Sequence, residues 1–307
     1  MIGPARPLAV SLLATVLALV RPAAAAEEAP FTLNMGVLLT DYGEYSRSDL
    51  EISLRFWVEE VSRDYGVPSN SHFYTDADLM QRDFAAGRID MITLSAVAAV
   101  RHFPIEELSA GITATAEQPD HLLLVVRKGT GIAKLGDLAG KRMVVIRNDP
   151  TSLLYLETLS LRAFGERGEG ALAAVNEEKR PSLVINQLFF GRAEVALVYR
   201  NSLTTAIDLN PQVGERLQVL DEYTLPLRCR NLSFLSKRLG ESDRDRIIQV
   251  ALEVANHPRG RQILQLFNAE RVSVSTPEDL LPVRRLLQEN LSLRTRYPRA
   301  QLRALPR

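Results

Sequence analysis

Seven hydroxyl side chains stand where chemistry on a small polar molecule could be done: Tyr42, Tyr45, Thr93, Ser95, Thr151, Ser152 and Tyr199. Each falls just past an apolar run of strand-like composition. A hydroxyl both donates and accepts, so a ring of them can hold a polar solute without reacting with it. Each also has a plainer role, as a helix cap or a half-buried structural hydroxyl; Ser95 directly precedes a stretch it could cap. Arg147 and Arg200 could add a bidentate clamp for a carboxylate or another oxyanion, or could pair with nearby surface acids. Little points to catalysis. His72, His102, His121 and His257 have no spacing typical of a metal site. There is no Gly-x-Ser-x-Gly elbow, no P-loop and no dinucleotide fingerprint. The single cysteine, Cys229, can form neither an internal disulfide nor a cysteine cluster. The expectation is a binding protein with no metal and no cofactor.

These residues can meet only if the chain brings strand ends together, and one stretch indicates how. Residues 84–95, Phe-Ala-Ala-Gly-Arg-Ile-Asp-Met-Ile-Thr-Leu-Ser, read as a last helical turn, a glycine and a buried strand over 89–94. Gly87 can take the left-handed conformation that closes the helix. Arg88 and Asp90 stand at the mouth of the strand. The pattern returns at 189–199 as Phe-Phe-Gly-Arg-Ala-Glu-Val-Ala-Leu-Val-Tyr. Two copies of one unit predict two similar lobes facing each other across a cleft. In open α/β sheets, ligands gather beyond the carboxyl ends of the strands.

The rest of the chain fits that frame. Residues 31–40 predict a first strand, and Ser48-Asp49-Leu50-Glu51 has capping-box spacing, predicting a helix from Ser48. Leu50, Leu54, Trp57 and Val61 fall on one stripe of it. A short strand near 72–74 and a helix over 77–86 lead into the first copy, and 96–102 predicts a further helix. Strands follow over 108–115, 121–127 and 143–146. Asp149 then fits the cap, and Pro150 the first position, of a helix to Phe164. Residues 165–170 read as loop, Ser182 as a helix start, and 217–220 as a short strand. Crossings near 114–120 and 221–227 would make a two-strand hinge. Beyond them the chain is helical: cap spacing at 242–245, a break at 257–260, a last helix over 277–290 and an arginine-rich tail. Strands alternating with helices predict an α/β fold, with a mainly parallel sheet in each lobe.

Composition sets outer bounds. The 307 residues allow two medium domains, and 46% hydrophobic content supports a sizeable core. Lys+Arg and Asp+Glu balance at 37 each, which excludes a global field for nucleic acid. Arg6, the apolar run 8–20, Pro22 and the alanines 23–26 have the form of a signal peptide over 1–26, cleaved before Glu27. Losing Arg6 and Arg21 leaves 35 of the 37 basic residues against 37 acids, so the exported chain is slightly acidic.

Four segments resemble one family, the type 2 periplasmic solute-binding proteins, and more narrowly the phosphate/phosphite/phosphonate receptors of ABC importers. They are 79–100, 122–145 with its Asp-Leu-Ala-Gly-Lys-Arg turn, 257–264 with its His-Pro-Arg-Gly break, and 272–283. The resemblance implies a two-lobe fold with a two-strand hinge and a ligand cleft between the lobes. Lobe one would comprise 27–117 and 225–307, and lobe two 118–224. It implies a periplasmic monomer, without enzyme activity, that delivers a small polar or oxyanionic ligand to importer membrane subunits. A periplasmic sensor or accessory binding subunit of the same fold, serving a non-transport membrane partner, is the alternative. One departure concerns the ligand. In those receptors the turn after the lobe-two strand is rich in Ser, Thr and Gly, whose hydroxyls and helix-terminal amides hold an oxyanion. Here it reads Asn148-Asp149-Pro150-Thr151-Ser152. Asp149 puts a carboxylate where an anion would sit, and Pro150 deletes one amide donor.

Overall fold

A computed structural model describes residues 31–41, 47–56, 65–115, 121–166, 168–224, 231–258 and 269–298, with Glu59, Arg63, Arg261 and Leu264. The signal segment, Tyr42, Tyr45, Trp57, Val61, Cys229 and the links at 116–120 and 225–230 lie outside the described residues.

The first sheet begins with β1 (Leu33–Leu38), α1 (Arg47–Arg55), β2 (Ser69–Tyr74), α2 (Ala77–Ala85), β3 (Met91–Ser95) and α3 (Ala96–His102). Then come β4 (Leu108–Ser109) and β5 (Gly111–Thr115). The second sheet takes β6 (His121–Arg127), β7 (Arg142–Ile146), α4 (Pro150–Phe164), α5 (Gly168–Ala171), β8 (Ala174–Glu178) and α6 (Pro181–Phe189). It continues with β9 (Val195–Tyr199), α7 (Arg200–Leu209), α8 (Gln212–Arg216) and β10 (Leu217–Thr224). The chain returns to the first sheet as β11 (Asn231–Ser236), followed by α9 (Glu241–Asn256), β12 (Arg271–Ser275) and α10 (Leu281–Arg296).

The strand orders are β2-β1-β3-β11-β4 and β8-β7-β9-β6-β10, with β12 pairing β5 separately. The two five-stranded sheets share one plan. Three parallel strands form the core of each, and the fourth strand runs antiparallel: β11 against β3, and β6 against β9. Each fourth strand lies just beyond one of the two links between lobes. Separate apolar cores follow. One gathers Val125, Val144, Val184 and Leu197, and the other Met80, Phe84, Ile92 and Phe234.

The repeated stretch explains why both sheets adopt this order. At the first copy the Gly87 amide donates to the Phe84 carbonyl and the Arg88 amide to that of Asp83. At the second, Gly191 donates to Leu188 and Arg192 to Gln187. Gly87 and Gly191 have φ of 72° and 75°, a conformation that costs a residue with a Cβ. The acid of each copy then fixes its neighbour. Asp90 donates its amide to the Asn34 carbonyl, and its carboxylate accepts the Asn34 amide at 2.9 Å. Glu194 repeats this with Arg142, also at 2.9 Å. The Gly-Arg-x-acid stretch is thus a structural clamp that sets the parallel strand beside it.

Several expectations are corrected. Ser48 lies inside α1, which starts at Arg47, whose side chain pairs with Glu51 one turn on. Ser242 lies inside α9, which starts at Glu241 with acids in its first turn, where the helix dipole favours them. The second copy's helix starts at Pro181, not Ser182, because proline suits the first helical position. Residues 165–170 are not all loop, since α5 occupies Gly168–Ala171, and the edge strand β8 follows. The strand over 108–115 breaks at Ala110 into β4 and β5, which pair with different partners. The strand at 217–220 extends to Thr224 because β10 pairs along all of β6. The last helix runs to Arg296, preceded by a 3-10 turn at Pro277–Leu280.

Replacing Gly87 or Gly191 with alanine should cost about 1–2 kcal/mol, the penalty for a Cβ in the left-handed region. Urea denaturation of each variant measures it. Unchanged midpoints would mean that these turns do not constrain the helix-to-strand passage.

Candidate functional site

The chemistry available at the cleft follows from where helices begin. α2 starts at the end of β2, α3 at the end of β3, and α4 beyond β7. A cavity of about 420 Å³ lies against these three starts, large enough for a small organic solute. Leu38 and Thr40 come from the end of β1, and Thr75 to Asp78 from the start of α2. One face of α3 contributes Val97, Ala98, Arg101 and His102, and α4 contributes Pro150. The first lobe thus supplies nearly all of the wall, from carboxyl ends of its strands, and the second lobe touches it through Pro150 alone among the described residues.

Charge is set unevenly around this cavity. Asp76 caps α2, its Oδ1 accepting the amides of Asp78 at 2.8 Å and Leu79 at 3.0 Å. Those two amides hold its carboxyl below the usual carboxylate range. Asp78 Oδ1 stands 2.7 Å from His102 Nδ1. Arg101 lies one turn beyond Val97 on the same face. Desolvation lowers its pKa, with nearby Arg294 adding to the effect and Glu157 opposing it. Asp149 caps α4, its Oδ1 accepting the amides of Thr151 at 3.1 Å and Ser152 at 3.2 Å. Only 8% of its surface is exposed, and its Oδ2 finds no partner among the described residues. Just before it, Asn148 takes a φ of 54°, a left-handed conformation that asparagine tolerates better than most residues.

α4 is also the piece through which the lobes touch. Tyr155, Leu156 and Leu159 belong to the lobe-two core, whereas Leu154 packs into the lobe-one core. Its remaining face is tied to α10. The Arg162 guanidinium donates twice to Glu289, Arg294 donates twice to Glu157, and Asn290 donates to the Thr158 hydroxyl at 3.1 Å. Tyr155 stacks on Tyr223 of β10 with ring centroids 4.5 Å apart.

Of the hydroxyls singled out from sequence, Ser95, Thr151 and Ser152 occupy these starts, and none of the five described ones is among the cavity's lining residues. Ser95 Oγ accepts the Ala98 amide at 3.1 Å and so caps α3. Thr93 Oγ1 lies 2.8 Å from Ser233 Oγ on β11. Thr151 and Ser152 form the first turn of α4 and are buried. Tyr199 is fully buried at the end of β9. Arg147 and Arg200 pair with Glu177 and Glu222, the surface role weighed for them. Sequence reading missed Arg101 and His102. The available signal was two basic residues closing a helix otherwise made of alanine and valine.

Comparison with known proteins supplies a family. A family model described as the ABC transporter, phosphonate, periplasmic substrate-binding protein matches residues 44–280. Among solved structures, the chain is similar to a binding protein component of an ABC phosphonate transporter from Pseudomonas aeruginosa. The identity is 14%, over 89% of this chain and 90% of that one, with a TM-score of 0.61. It is similar to a chloride-bound Xanthomonas citri protein at 16% identity, over 86% and 99%, TM-score 0.60. It is similar to PhnD1 of Prochlorococcus marinus in complex with methylphosphonate at 14% identity, over 85% and 98%, TM-score 0.59. At these identities the structural likenesses speak to the fold. No curated protein matches the chain.

The α4–α10 contact carries a pH signature. Arg162 holds the Glu289 carboxyl below its ordinary range. A depressed carboxyl stabilises the fold above its unfolded pKa and loses that contribution as pH falls through the folded value. Urea-denaturation stability measured from neutral pH to about pH 3, below the ordinary glutamate pKa near 4.3, should therefore fall less steeply for Glu289→Gln than for the wild type. Parallel curves would mean that the pair contributes nothing.

Proposed function

The chain belongs to the periplasmic substrate-binding proteins of phosphonate ABC transporters, and we propose that it captures a small polar solute of the phosphonate class between its lobes and hands it to importer membrane subunits. The family is one of binding proteins, not enzymes. The observation that carries the reading is the cavity at the starts of α2 and α3 in lobe one, which Pro150 of lobe two closes at the start of α4. A solute touching both lobes stabilises the arrangement in which they approach, and closure follows from that differential contact.

Arg101 is the cation best placed to take the oxyanion of such a solute, since a guanidinium can hold two oxygens at once. Ser95 supports this indirectly by capping the helix that carries it. Thr151 and Ser152 follow Pro150 in the first turn of α4 and back the lobe-two side in this reading. The signal peptide is cleaved, and the mature protein works as a periplasmic monomer. Residues 27–117 and 225–307 form one lobe and 118–224 the other.

A thermal-shift screen of phosphonates, sulfonates, carboxylates and amines tests the reading. A true solute at a hundred times its dissociation constant should stabilise the protein by about 2.7 kcal/mol. Arg101→Met should weaken phosphonate binding about tenfold or more, the scale of a lost charge-assisted hydrogen bond, without lowering the ligand-free melting temperature. An unchanged phosphonate shift in that variant would move the oxyanion site elsewhere.

A further inference from the structure

We infer that the contact between α4 and α10 is an interlobe latch, made when the lobes approach and released when they part, whose ion pairs set solute affinity without touching the solute. The inference rests on the two-lobe capture reading above and deepens it.

The start and the body of α4 meet lobe one at different places. Pro150, at the first position, alone among the described residues of lobe two lines the cavity. Glu157, Thr158 and Arg162 meet α10 farther along. At 1.5 Å per residue, Glu157 lies about 10 Å along the axis from Pro150, and Arg162 about 18 Å. α4 is therefore a rod with the solute cavity at one end and the α10 contact along its body. One unbroken helix joins them, so a shift at either end is felt at the other. Both contacts are made here at once, which assigns them to the same arrangement of the lobes.

The chemistry of the contact suits one that is made and broken. Permanent interfaces are mainly apolar, whereas contacts that come apart are more polar. At the rim, Arg162 holds Glu289 and Arg294 holds Glu157, with all four side chains partly exposed. Water can take up these charges when the helices separate. At the centre, Thr158 and Asn290 are buried. Asn290 Nδ2 donates to Thr158 Oγ1, which donates in turn to the Leu154 carbonyl. Asn290 Oδ1 finds no partner among the described residues. A buried amide oxygen without a donor weakens the contact that buries it, and water would satisfy it on opening. Leu154, seated in the lobe-one core, supplies an opposing apolar hold.

The latch also reaches the solute side. Beyond the effect of its own burial, Arg101 of the cavity is repelled by Arg294 and attracted by Glu157. Glu157 thus brings lobe-two charge to two lobe-one arginines. A solute that needs both lobes binds in proportion to the fraction of molecules whose lobes have approached, so a weaker latch lowers the apparent affinity.

Charge reversal at the rim tests the latch. Arg162→Glu and Glu289→Arg each turn an attraction into a repulsion, and the two together restore it with the signs exchanged. Spin labels at Arg82→Cys of α2 and Asn186→Cys of α6, in a Cys229→Ser background, report the distance between lobes in the solute-free protein by double electron–electron resonance. Each single reversal should add a second distance population, and the exchanged pair should recover the wild-type distribution. Calorimetric titration with methylphosphonate should show both single reversals weakening binding about threefold or more, the scale of an exposed ion pair, with recovery in the exchanged pair. At about 0.15 M salt, exposed charges are screened beyond about 8 Å. The two reversals also change net charge in opposite senses, so bulk charge alone would move the affinities in opposite directions. Should a reversal fail to fold, Arg162→Gln and Glu289→Gln carry the same expectation at smaller amplitude. Distance distributions unchanged by both reversals, no recovery in the exchanged pair, or opposite affinity changes would overturn the inference. Tighter binding by both single reversals would overturn it too, since the contact would then belong to parted lobes. Distances that shift and recover, with no methylphosphonate binding in any variant, would uphold the latch and count against phosphonate capture.

Discussion

Everything at the cleft depends on one helix being claimed by two cores. α4 begins in lobe two, yet Leu154 packs into the lobe-one core while Tyr155, Leu156 and Leu159 pack into its own. Its third face meets α10 through Arg162–Glu289, Glu157–Arg294 and Thr158–Asn290. Exposed ion pairs of this kind contribute little each. Their consequence is geometric, since three contacts along one helix fix its rotation and its height. That placement sets Pro150 against the cavity wall supplied by α3.

The two sheets reach their common plan by the same local chemistry. A glycine with positive φ ends the helix, and an acid three residues later clamps a residue at the start of the neighbouring parallel strand. In each case the clamp lies at the amino end of the strands, whereas the cavity lies at the carboxyl ends. The carboxyl ends are thereby left to loops and helix starts, where capping residues settle the electrostatics. Asp76, Ser95 and Asp149 each serve as a cap and together determine how many backbone amides remain for a ligand.

Much of this was legible in the chain because its signals are local. Gly87 and Gly191 announce helix ends, Asp149-Pro150 announces a helix start, and the repeated Gly-Arg unit announces the duplication. The family resemblance read from residues 79–100, 122–145, 257–264 and 272–283 agrees with the family whose model spans 44–280. What escaped was long-range or weakly patterned. β8 is an edge strand of half-exposed residues, Ala-Val-Asn-Glu-Glu, with no alternation to mark it. The double burial of α4 left a trace, since only Glu157 and Arg162 are charged along its fifteen residues, but the identity of its second partner required the fold. The acids of the repeated unit read as residues at a strand mouth. Their role as clamps depends on pairing with Asn34 and Arg142, far away in sequence. Arg101 gave no local hint of its place, because the cavity it lines is assembled from four separate strand ends.

The central claim is that one solute is held by both lobes at once. Amide hydrogen exchange, measured with and without a saturating phosphonate taken from the thermal-shift screen, tests it most directly. The account predicts added protection in residues 75–79 and 96–102 of lobe one together with 149–153 of lobe two. Protection confined to a single lobe, or its absence from the start of α4, would contradict it.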